Sequence, residues 1–501
     1  MQQYAIKFSG QYSSRIAKTN AASGTSGIVG VGIVGLMIVG GNNTAPDKDE
    51  RYINCFLTKQ GGMDVIVKRP GMATNSTPRA GHVGSALLVW TGSVSSTDLI
   101  SALGNTDSNI YNGITNLGAI TGKATSITET FVSTVATLVV PSSDNTAWYY
   151  DTGVGVMTKI TDGDFPGNVA GQTIVGSFAH MDGFACIMTS SGRLYAPNIN
   201  SVTAWTANSF ESTNAYPDKG VGCVRYKNLI IAFGTESMQF FQNAGLTPFP
   251  FINVSSMTQK IGAVSADAIA QISDTIFFAG STPQGGLSIF QYDGQVSRIS
   301  NPEQDLQFLL AGPTNISLTT ERYYGRSFVV VVANATTYVY CIEDKRWHER
   351  TSTTPLWYKS AGLSTGSQIL TYCISKVSTS GKVFVINPAN LVFNDDGFVY
   401  TATIQSGNDS NGTSNRKFYS EFRLDADIEP STSIMTIAYS DDDYVTFTNA
   451  GTIDLNAQTK LTRLGSSSPA NNNNRAWKMT HSSDTAFRVK KAHGTMTVGQ
   501  F

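Results

Sequence analysis

Histidine, cysteine and carboxylate side chains are the residues that could bind a catalytic metal, and in this chain they are dispersed. A zinc or iron site needs such ligands clustered at short spacings, as in an HExxH helix. The histidines show no such spacing, and no two cysteines lie closer than about thirty residues. The sequence therefore predicts no metal site, no redox pair and no disulfide framework, which suits assembly in a reducing cytoplasm. The residues are His82, His180, His348, His481, His493, Cys55, Cys186, Cys223, Cys341 and Cys373.

Two glycine-containing segments match nucleotide-binding motifs only in part. Gly122 and Lys123 are preceded by Leu117 where a phosphate-binding loop has its first glycine, and Ala124 stands where that loop has Ser or Thr. A GxGxxG spacing within residues 27–41 lacks both a preceding strand and a following helix, which favours a Gly-spaced strand or hairpin. No GxSxG occurs, and Ser, His and Asp are too dispersed to indicate a triad. We predict no catalytic residue and no cofactor.

The acidic cluster Asp441-Asp442-Asp443 lies in SDDDYVTF, from Ser440 to Phe447. This segment resembles the Asp-box turn of sialidase-type propellers, in which an aspartate accepts backbone N–H bonds, although Tyr444 stands where that turn has glycine. Calcium is the alternative, but the spaced ligands of a 12-residue calcium loop are missing. A glycosidase would need paired carboxylates in a central pocket, and the sequence shows no sign of them.

The most distinctive polar segment is KRWHER, from Lys345 to Arg350. Its tryptophan could cap a hydrophobic wedge, and its charged residues could pair across strands. We predict a structural role for this segment.

Composition limits what these residues can belong to. The chain has 501 residues, of which 41% are hydrophobic and 14% are charged, and its net charge is −1. This length allows two or three domains with sizeable cores. Because no excess positive charge is available for a phosphate backbone, a dedicated nucleic-acid binder is not expected.

The apolar run at residues 27–41 is too short for a membrane span. It holds fewer than the roughly twenty apolar residues that cross a bilayer as a helix. Some two dozen mixed residues precede it, unlike the short basic start of a signal peptide. We predict neither a membrane span nor a secretion signal.

A recurring unit of turn, β-branched or aromatic run, turn and second run organises the chain. Its copies start roughly forty-five to fifty-five residues apart, which matches a four-stranded propeller blade. Stacked β-sandwiches would instead show strands every eight to twelve residues without the longer period. The clearest copies begin at Asp182, Lys227, Ser273, Gly325 and Gly381, and weaker ones begin at Ser85 and Ala136.

We therefore predict an all-β protein with a β-propeller of about six blades at residues 76–400. Residues 1–75 and 401–501 are expected to form a β-rich platform, the C-terminal part being a small sandwich of short antiparallel strands. The Ser/Thr/Asn/Gly-rich stretch near 92–130 reads as an exposed insertion in the first blade.

From about residue 50 onward, the order of several segments resembles the tail nozzle proteins of short-tailed phages, also called tail hub or packaged-DNA stabilisation proteins. The segments include RYINCF, KRPGM, DGDFPG, MDGF, FGTESMQFFQNAGLTPFPF, QKIGAVSADAIAQISDTIFFAG, YDGQVSRIS and TTYVYCIEDKRWHER. The resemblance is specific in combination, although no single motif is diagnostic. Neither the run at 27–41 nor the stretch near 92–130 has a counterpart. The residues carrying the resemblance, all expected to be structural, are Asn54, Pro70, Gly71, Gly234, Glu236, Ser237, Pro248, Pro250, Ile261, Gly262, Trp347, His348, Glu349 and Arg350.

The resemblance implies a structural virion protein assembled in the bacterial host cytoplasm. Six copies would form a tube below the portal and the adaptor ring, carry tail spikes or fibres and a needle or tip, retain the packaged double-stranded DNA and conduct it at ejection. The main alternative is a propeller that binds or cleaves carbohydrate, which a convergent acidic and aromatic pocket at the propeller centre would distinguish. A second alternative is a monomeric scaffold for other proteins.

Overall fold

The structure is a computed structural model that describes residues 2–6, 50–90, 98–281, 286–334, 336–351, 358–365, 368–408, 417–464 and 475–498. These residues form 42 strands and one α-helix, so the predicted all-β class with little helix is confirmed. The ten-residue helix is too short to cross a bilayer, and no described helix is a membrane span. The apolar run at 27–41 lies outside the described residues.

The chain divides into two compact units. The larger comprises residues 53–402 and 482–488, and the smaller comprises residues 1–52, 403–481 and 489–501. We expected all of residues 1–75 to belong to a platform, but residues 53–75 belong to the larger unit together with the propeller. The strands before the first blade are β1 (Gln2–Ile6), β2 (Arg51–Ile53), β3 (Cys55–Gln60), β4 (Met63–Lys68) and β5 (Ala73–Ser76).

The described residues of the larger unit contain seven sets of antiparallel strands in chain order, which are the blades of a β-propeller. The first blade consists of β6 (Gly84–Trp90), β7 (Asp98–Leu103), β8 (Ser108–Asn112) and β9 (Thr115–Ile120); the second of β10 (Thr128–Val132), β11 (Val135–Pro141), β12 (Ala147–Asp151) and β13 (Met157–Lys159); and the third of β14 (Ile174–Met181), β15 (Phe184–Thr189), β16 (Arg193–Tyr195) and β17 (Phe210–Ser212). The fourth blade consists of β18 (Gly220–Tyr226), β19 (Leu229–Gly234), β20 (Met238–Asn243) and β21 (Phe251–Asn253), and the fifth of β22 (Gly262–Ala263), β23 (Ile269–Ile272), β24 (Thr275–Ser281), β25 (Leu287–Tyr292) and β26 (Val296–Arg298). The sixth blade consists of β27 (Ile316–Tyr323), β28 (Arg326–Ala333), β29 (Thr336–Cys341) and β30 (Arg346–Arg350), and the seventh of β31 (Tyr358–Thr365), β32 (Gln368–Ser375) and β33 (Val383–Ile386).

The ring of blades is closed by a strand from far upstream. β5 pairs antiparallel with β33 and supplies the fourth strand of the seventh blade, with Thr74 opposite Phe384. β31 of this blade also lies against β6 of the first. Residues 73–76 thus hold the end of the propeller sequence to its beginning.

The predicted blade-sized repeats are present, and the described residues form seven blades where about six were expected. Each of the seven repeat copies falls in a different sheet. The predicted insertion near 92–130 is wrong for its described part, because residues 98–120 form β7 to β9 of the first blade. Ile100, Ala102, Ile110 and Ile120 of these strands are buried, and the residues between them are mostly small or polar. The segment therefore has the composition of an exposed loop although it forms strands of a blade. Residues 91–97 lie outside the description.

The hydrophobic core lies between consecutive blades. Separate buried clusters join the first blade to the second, the second to the third, the third to the fourth and the fourth to the fifth. Another contains residues of the sixth and seventh blades together with Phe56, Val65 and Val67 of β3 and β4. Inner strands such as β28 are apolar over most of their length, from Phe328 to Ala333, because both of their faces are covered there. The five cysteines are buried thiols in these strands and form no disulfide.

One helix, α1 (Pro302–Ala311), connects the fifth and sixth blades. The Asn301 side chain caps the helix by accepting a hydrogen bond from the Gln304 N–H at 2.8 Å. In turn, Gln304 Oε1 accepts a hydrogen bond from the Asn301 N–H. Short 3₁₀ turns cover Ser255–Met257, Ala266–Ala268 and Pro313–Asn315.

The smaller unit is built from short antiparallel strands. They are β36 (Ala402–Gln405), β37 (Lys417–Ala426), β38 (Ile434–Ser440), β39 (Thr448–Asp454), β40 (Leu461–Arg463), β41 (Ala476–His481) and β42 (Arg488–Val498). β36 pairs with β41, β41 with β38 and β38 with β39 in one sheet. β42 pairs with β37 and β1, and β37 with β40, in another. Two further short strands, β34 (Asn394–Asp395) and β35 (Phe398–Val399), belong to the larger unit.

Candidate functional site

The described residues hold no group of three or more His, Cys, Asp or Glu side chains arranged to bind a metal ion. At one point of the propeller hub, small residues bring the innermost strands together. A side chain on Gly176 of β14 would meet the Cα of Gly222 in β18 at 2.7 Å, and Ala266 of the fifth blade lies 3.8 Å from the same position. This backbone contact leaves no room for a ligand at that point.

The most elaborate polar cluster closes the propeller, and we call it the closing node: Asn54, Arg69, Thr351, Asp395 and Tyr400. Arg69 is fully buried and forms two bonds with the Asp395 carboxylate, at 3.0 and 2.6 Å. Its Nε donates to Asn54 Oδ1 at 2.9 Å, and its guanidinium lies 3.7 Å from the centre of the Tyr400 ring. A buried charge is tolerated only with such complete pairing, so the node joins segments some 300 residues apart with high directional specificity.

Asn54 holds a backbone position that few residues adopt. Its φ is +56°, its N–H donates to Glu349 O at 2.9 Å and its Nδ2 donates to Thr351 Oγ1 and Thr401 O. Asparagine tolerates left-handed backbone and supplies both a donor and an acceptor. Asn54 therefore links the start of β3 to the end of the sixth blade and to Thr401, which lies beyond the seventh blade.

Pro70 and Gly71 carry the chain from the node into the closing strand. The Pro70 carbonyl accepts from Arg69 at 3.0 Å, and Gly71 N–H donates to Val392 O at 2.7 Å. A Cβ on Gly71 would lie 1.9 Å from Asn394 O, which excludes any side chain there. This close backbone approach explains why glycine follows proline.

The segment Trp347 to Arg350 forms the buried outer strand of the sixth blade. Trp347 donates from Nε1 to Ile299 O at 2.9 Å, and the ring of His348 lies 5.4 Å from that of Phe56. Arg350 makes two bonds to Glu321, at 2.9 and 2.6 Å, where both side chains are excluded from solvent. Burial and the charges of Arg350 and Arg69 lower the pKa of His348 well below its usual value, so this ring is neutral at physiological pH.

A second polar cluster lies in the fourth blade, beside its contact with the fifth blade. Asp218 accepts from Glu236 N at 2.8 Å and from Ser237 Oγ at 3.0 Å. A Cβ on Gly234 would meet the Asp218 carboxylate at 2.1 Å, so this glycine makes room for that side chain. A Cβ on Gly262 of the fifth blade would meet Gly234 O at 2.3 Å, so glycine at 262 lets the two backbones come into contact. Ile261 is buried beside this contact.

Pro248 and Pro250 shape the connection between β20 and β21. The Thr247–Pro248 peptide is cis, and Pro250 O accepts from Ala244 N at 2.9 Å. Between these prolines the buried ring of Phe249 packs against Phe251.

In the smaller unit, the residues Ser440 to Thr446 form a turn around a carboxylate. Asp442 accepts from Thr446 N–H at 2.9 Å and from Ser440 Oγ at 2.8 Å, and the Thr446 and Ser440 bonds lower its pKa to about 2. Asp441 instead pairs with buried Arg475 through two bonds of 2.6 Å. These neighbours therefore bind different partners, as in a structural turn rather than one ligand set.

The motif residues thus lie in three different places, and not at one centre. Sequence reasoning missed the residues that complete them: Arg69, Asp395 and Asp218. Arg69 stood inside the KRPGM segment, but its partner lies 326 positions away and no spacing could reveal it. Asp218 had no motif of its own.

Residues 103–364 match a phage stabilisation family described as Bacteriophage P22 Gp10, beta-propeller. No curated protein sequence matches the chain. The chain is similar to the solved structure of Chaetomium thermophilum Raptor, with 9% identity and a TM-score of 0.40 over 69% of this chain and 30% of that one. It is also similar to a chain of a mitotic checkpoint complex, with 11% identity and a TM-score of 0.39 over 64% of this chain and 96% of the other. The chain spans under a third of the Raptor chain.

Proposed function

We propose that the chain forms the tail nozzle of a short-tailed phage, because it belongs to the phage family described as Bacteriophage P22 Gp10, beta-propeller. The match to this family covers residues 103–364, which are more than half of the chain. The chain is a phage structural protein, and in this proposal six copies surround an axial channel. The ring extends the channel of the portal and the adaptor ring, keeps the packaged DNA inside and conducts it at ejection.

The family match is the observation that carries the proposal. The arrangement of the motif residues supports it, because they lie in three separate places and several join segments distant in the chain or neighbouring blades. A load-resistant ring needs such cross-linking, whereas an enzyme needs converging groups.

The charge of the chain also suits passage of DNA rather than binding. Each phosphate contact by Lys or Arg adds salt-dependent affinity, which would hold the duplex in place. A net charge of −1 with 35 basic residues in 501 gives no overall attraction for a polyanion. The duplex is therefore expected to slide without sequence preference.

The expected partners are the adaptor ring above, spikes or fibres around the nozzle and a needle or tip below. The chain would then reside in the virion tail after assembly in the host cytoplasm. No cofactor is expected.

Removing the chain from the assembling phage tests retention directly. Particles made without it are expected to package DNA and then lose it, so that their genome becomes accessible to added nuclease. Supplying the chain in trans should restore protection. Nuclease-resistant full particles formed in its absence would contradict the proposal.

A further inference from the structure

Residues 482–488, which we call the strap, belong to the larger unit, although the chain on both sides of them belongs to the smaller unit. Ser482 and Asp484 of the strap are exposed, whereas the Phe487 side chain is buried. The strap therefore has solvent on its outer side and is anchored on its inner side.

The strap covers a buried cation at the end of β4. Lys68 is 1% exposed, and its Nζ donates to Ser483 O at 2.6 Å. The rings of Tyr400 and Phe393 have their centres 5.0 and 5.7 Å from the same Nζ, within the range of a cation–π interaction. The Lys68 backbone N–H donates to Phe487 O at 3.3 Å. Burial lowers the pKa of Lys68 to about 8, so this side chain is still mostly protonated at neutral pH.

Two side chains attach the strap at further points. The Asp484 carboxylate accepts from Phe393 N–H at 3.1 Å and from Asn394 Nδ2 at 2.7 Å. The hydroxyl groups of Ser482 and Thr401 lie 3.0 Å apart, within hydrogen-bond distance. The side-chain partners of the strap thus lie between 81 and 415 positions upstream of it.

The strap and the closing node hold the same three segments of the chain. Lys68, Asn394 and Thr401, which bond to the strap, each adjoin a residue of the node in sequence. Those node residues are Arg69, Asp395 and Tyr400, in the same order. The first of these segments continues directly into β5, whose pairing with β33 closes the ring. A change in the strap therefore reaches the closing strand before the other blades.

The strap is suited to local opening. A segment with solvent on one side opens at a lower free-energy cost than strands buried on both faces. Its release gives water to the Lys68 ammonium, whose burial is costly. The contacts of Asp484 and Phe487 oppose this release.

We propose that residues 482–488 lock the closing node, and that release of this strap lets β5 separate from β33 and opens the ring of blades. Because the strap is synthesised more than 400 residues after β4, a chain that lacks it is expected not to keep its propeller closed. The inference concerns the propeller itself and does not depend on the nozzle proposal.

A full-length strap variant and a control test this lock. The strap variant carries Ser482→Gly, Asp484→Gly and Phe487→Gly, which removes the side chains that attach the strap. The control carries Thr152→Gly and Val156→Gly in the exposed connection between β12 and β13 of the second blade. Hydrogen–deuterium exchange followed by mass spectrometry measures the opening of each strand separately.

Amides of β5 and β33 should exchange at least about 10-fold faster in the strap variant than in the wild type. Amides of β19 in the fourth blade should keep their wild-type rates, and the control should match the wild type in all three strands. Unchanged exchange of β5 and β33 would overturn the inference. Equal acceleration in β19 would also overturn it, because it would show a general loss of stability instead of a local opening.

Lys68→Met provides a second test, because it removes the charge that gains water on opening. Added to the strap variant, it should slow the exchange of β5 and β33, and in the otherwise wild-type chain it should not accelerate that exchange. If the strap variant does not fold, Asp484→Ala takes its place in both comparisons. Exchange of β5 and β33 that Lys68→Met fails to slow would contradict the proposed lock.

Discussion

Among single residues, Arg69 is the one whose replacement should cost most stability. Arg69→Gln leaves the Asp395 carboxylate buried without its charge partner, which costs about 3–5 kcal/mol in comparable pairs. Asp64→Asn is the matched control, because the Asp64 side chain is 50% exposed in its pair with Arg346 and such pairs contribute about 0–1 kcal/mol. Urea denaturation of both variants measures the difference. An equal loss of unfolding free energy in the two variants would show that the closing node stabilises the propeller no more than an exposed ion pair does.

His348 should make stability depend on pH. Its pKa is lowered in the folded chain by burial and nearby arginines, so the unfolded chain binds the proton first as the pH falls. This contribution is complete above about pH 6.5 and is lost below it, at up to about 1.4 kcal/mol per pH unit. His348→Phe should remove this component. The free energy of unfolding of the wild type minus that of the variant should therefore decrease from pH 6.5 to pH 5. A difference that stays constant over this range would contradict the assignment.

At the scale of the blade, a crossing of two backbones should tolerate no added methyl group. Gly262→Ala places a Cβ within 2.4 Å of backbone atoms at Gly234, Thr235 and Glu236, so the fourth and fifth blades must move apart. We expect a loss of about 1–3 kcal/mol, the usual cost of overpacking. Gly163→Ala is the control, because nothing lies within 4 Å of its Cβ position. Thermal unfolding should separate the two variants, and a stable Gly262→Ala chain would refute the crossing.

The elements also show what the sequence could and could not predict. Buried runs such as FVVVVA and the turns between them indicated the repeats, because strand pairing within a blade is local. The copy beginning at Gly381 was recognised as a repeat, but its fourth strand was not, since β33 finds that partner, β5, more than 300 positions upstream. β7 to β9 were taken for an insertion because their buried residues are mostly small or widely spaced.

For the whole molecule, closure of the ring depends on pairs that no local pattern reveals. Arg69 and Asp395 are distant in sequence, and either alone reads as an ordinary surface charge. No single motif predicted these contacts. The resemblance to a phage protein family did predict the class of protein, because residues 103–364 match that family.

The central claim is that this propeller is one subunit of a hollow tail. A cryo-electron microscopy reconstruction of the tail of the parent phage, made without imposed symmetry, tests it most directly. We predict six copies of the seven-bladed ring around an axial channel beneath the portal. A particle whose tail lacks this chain, or carries a single copy away from the axis, would contradict the account.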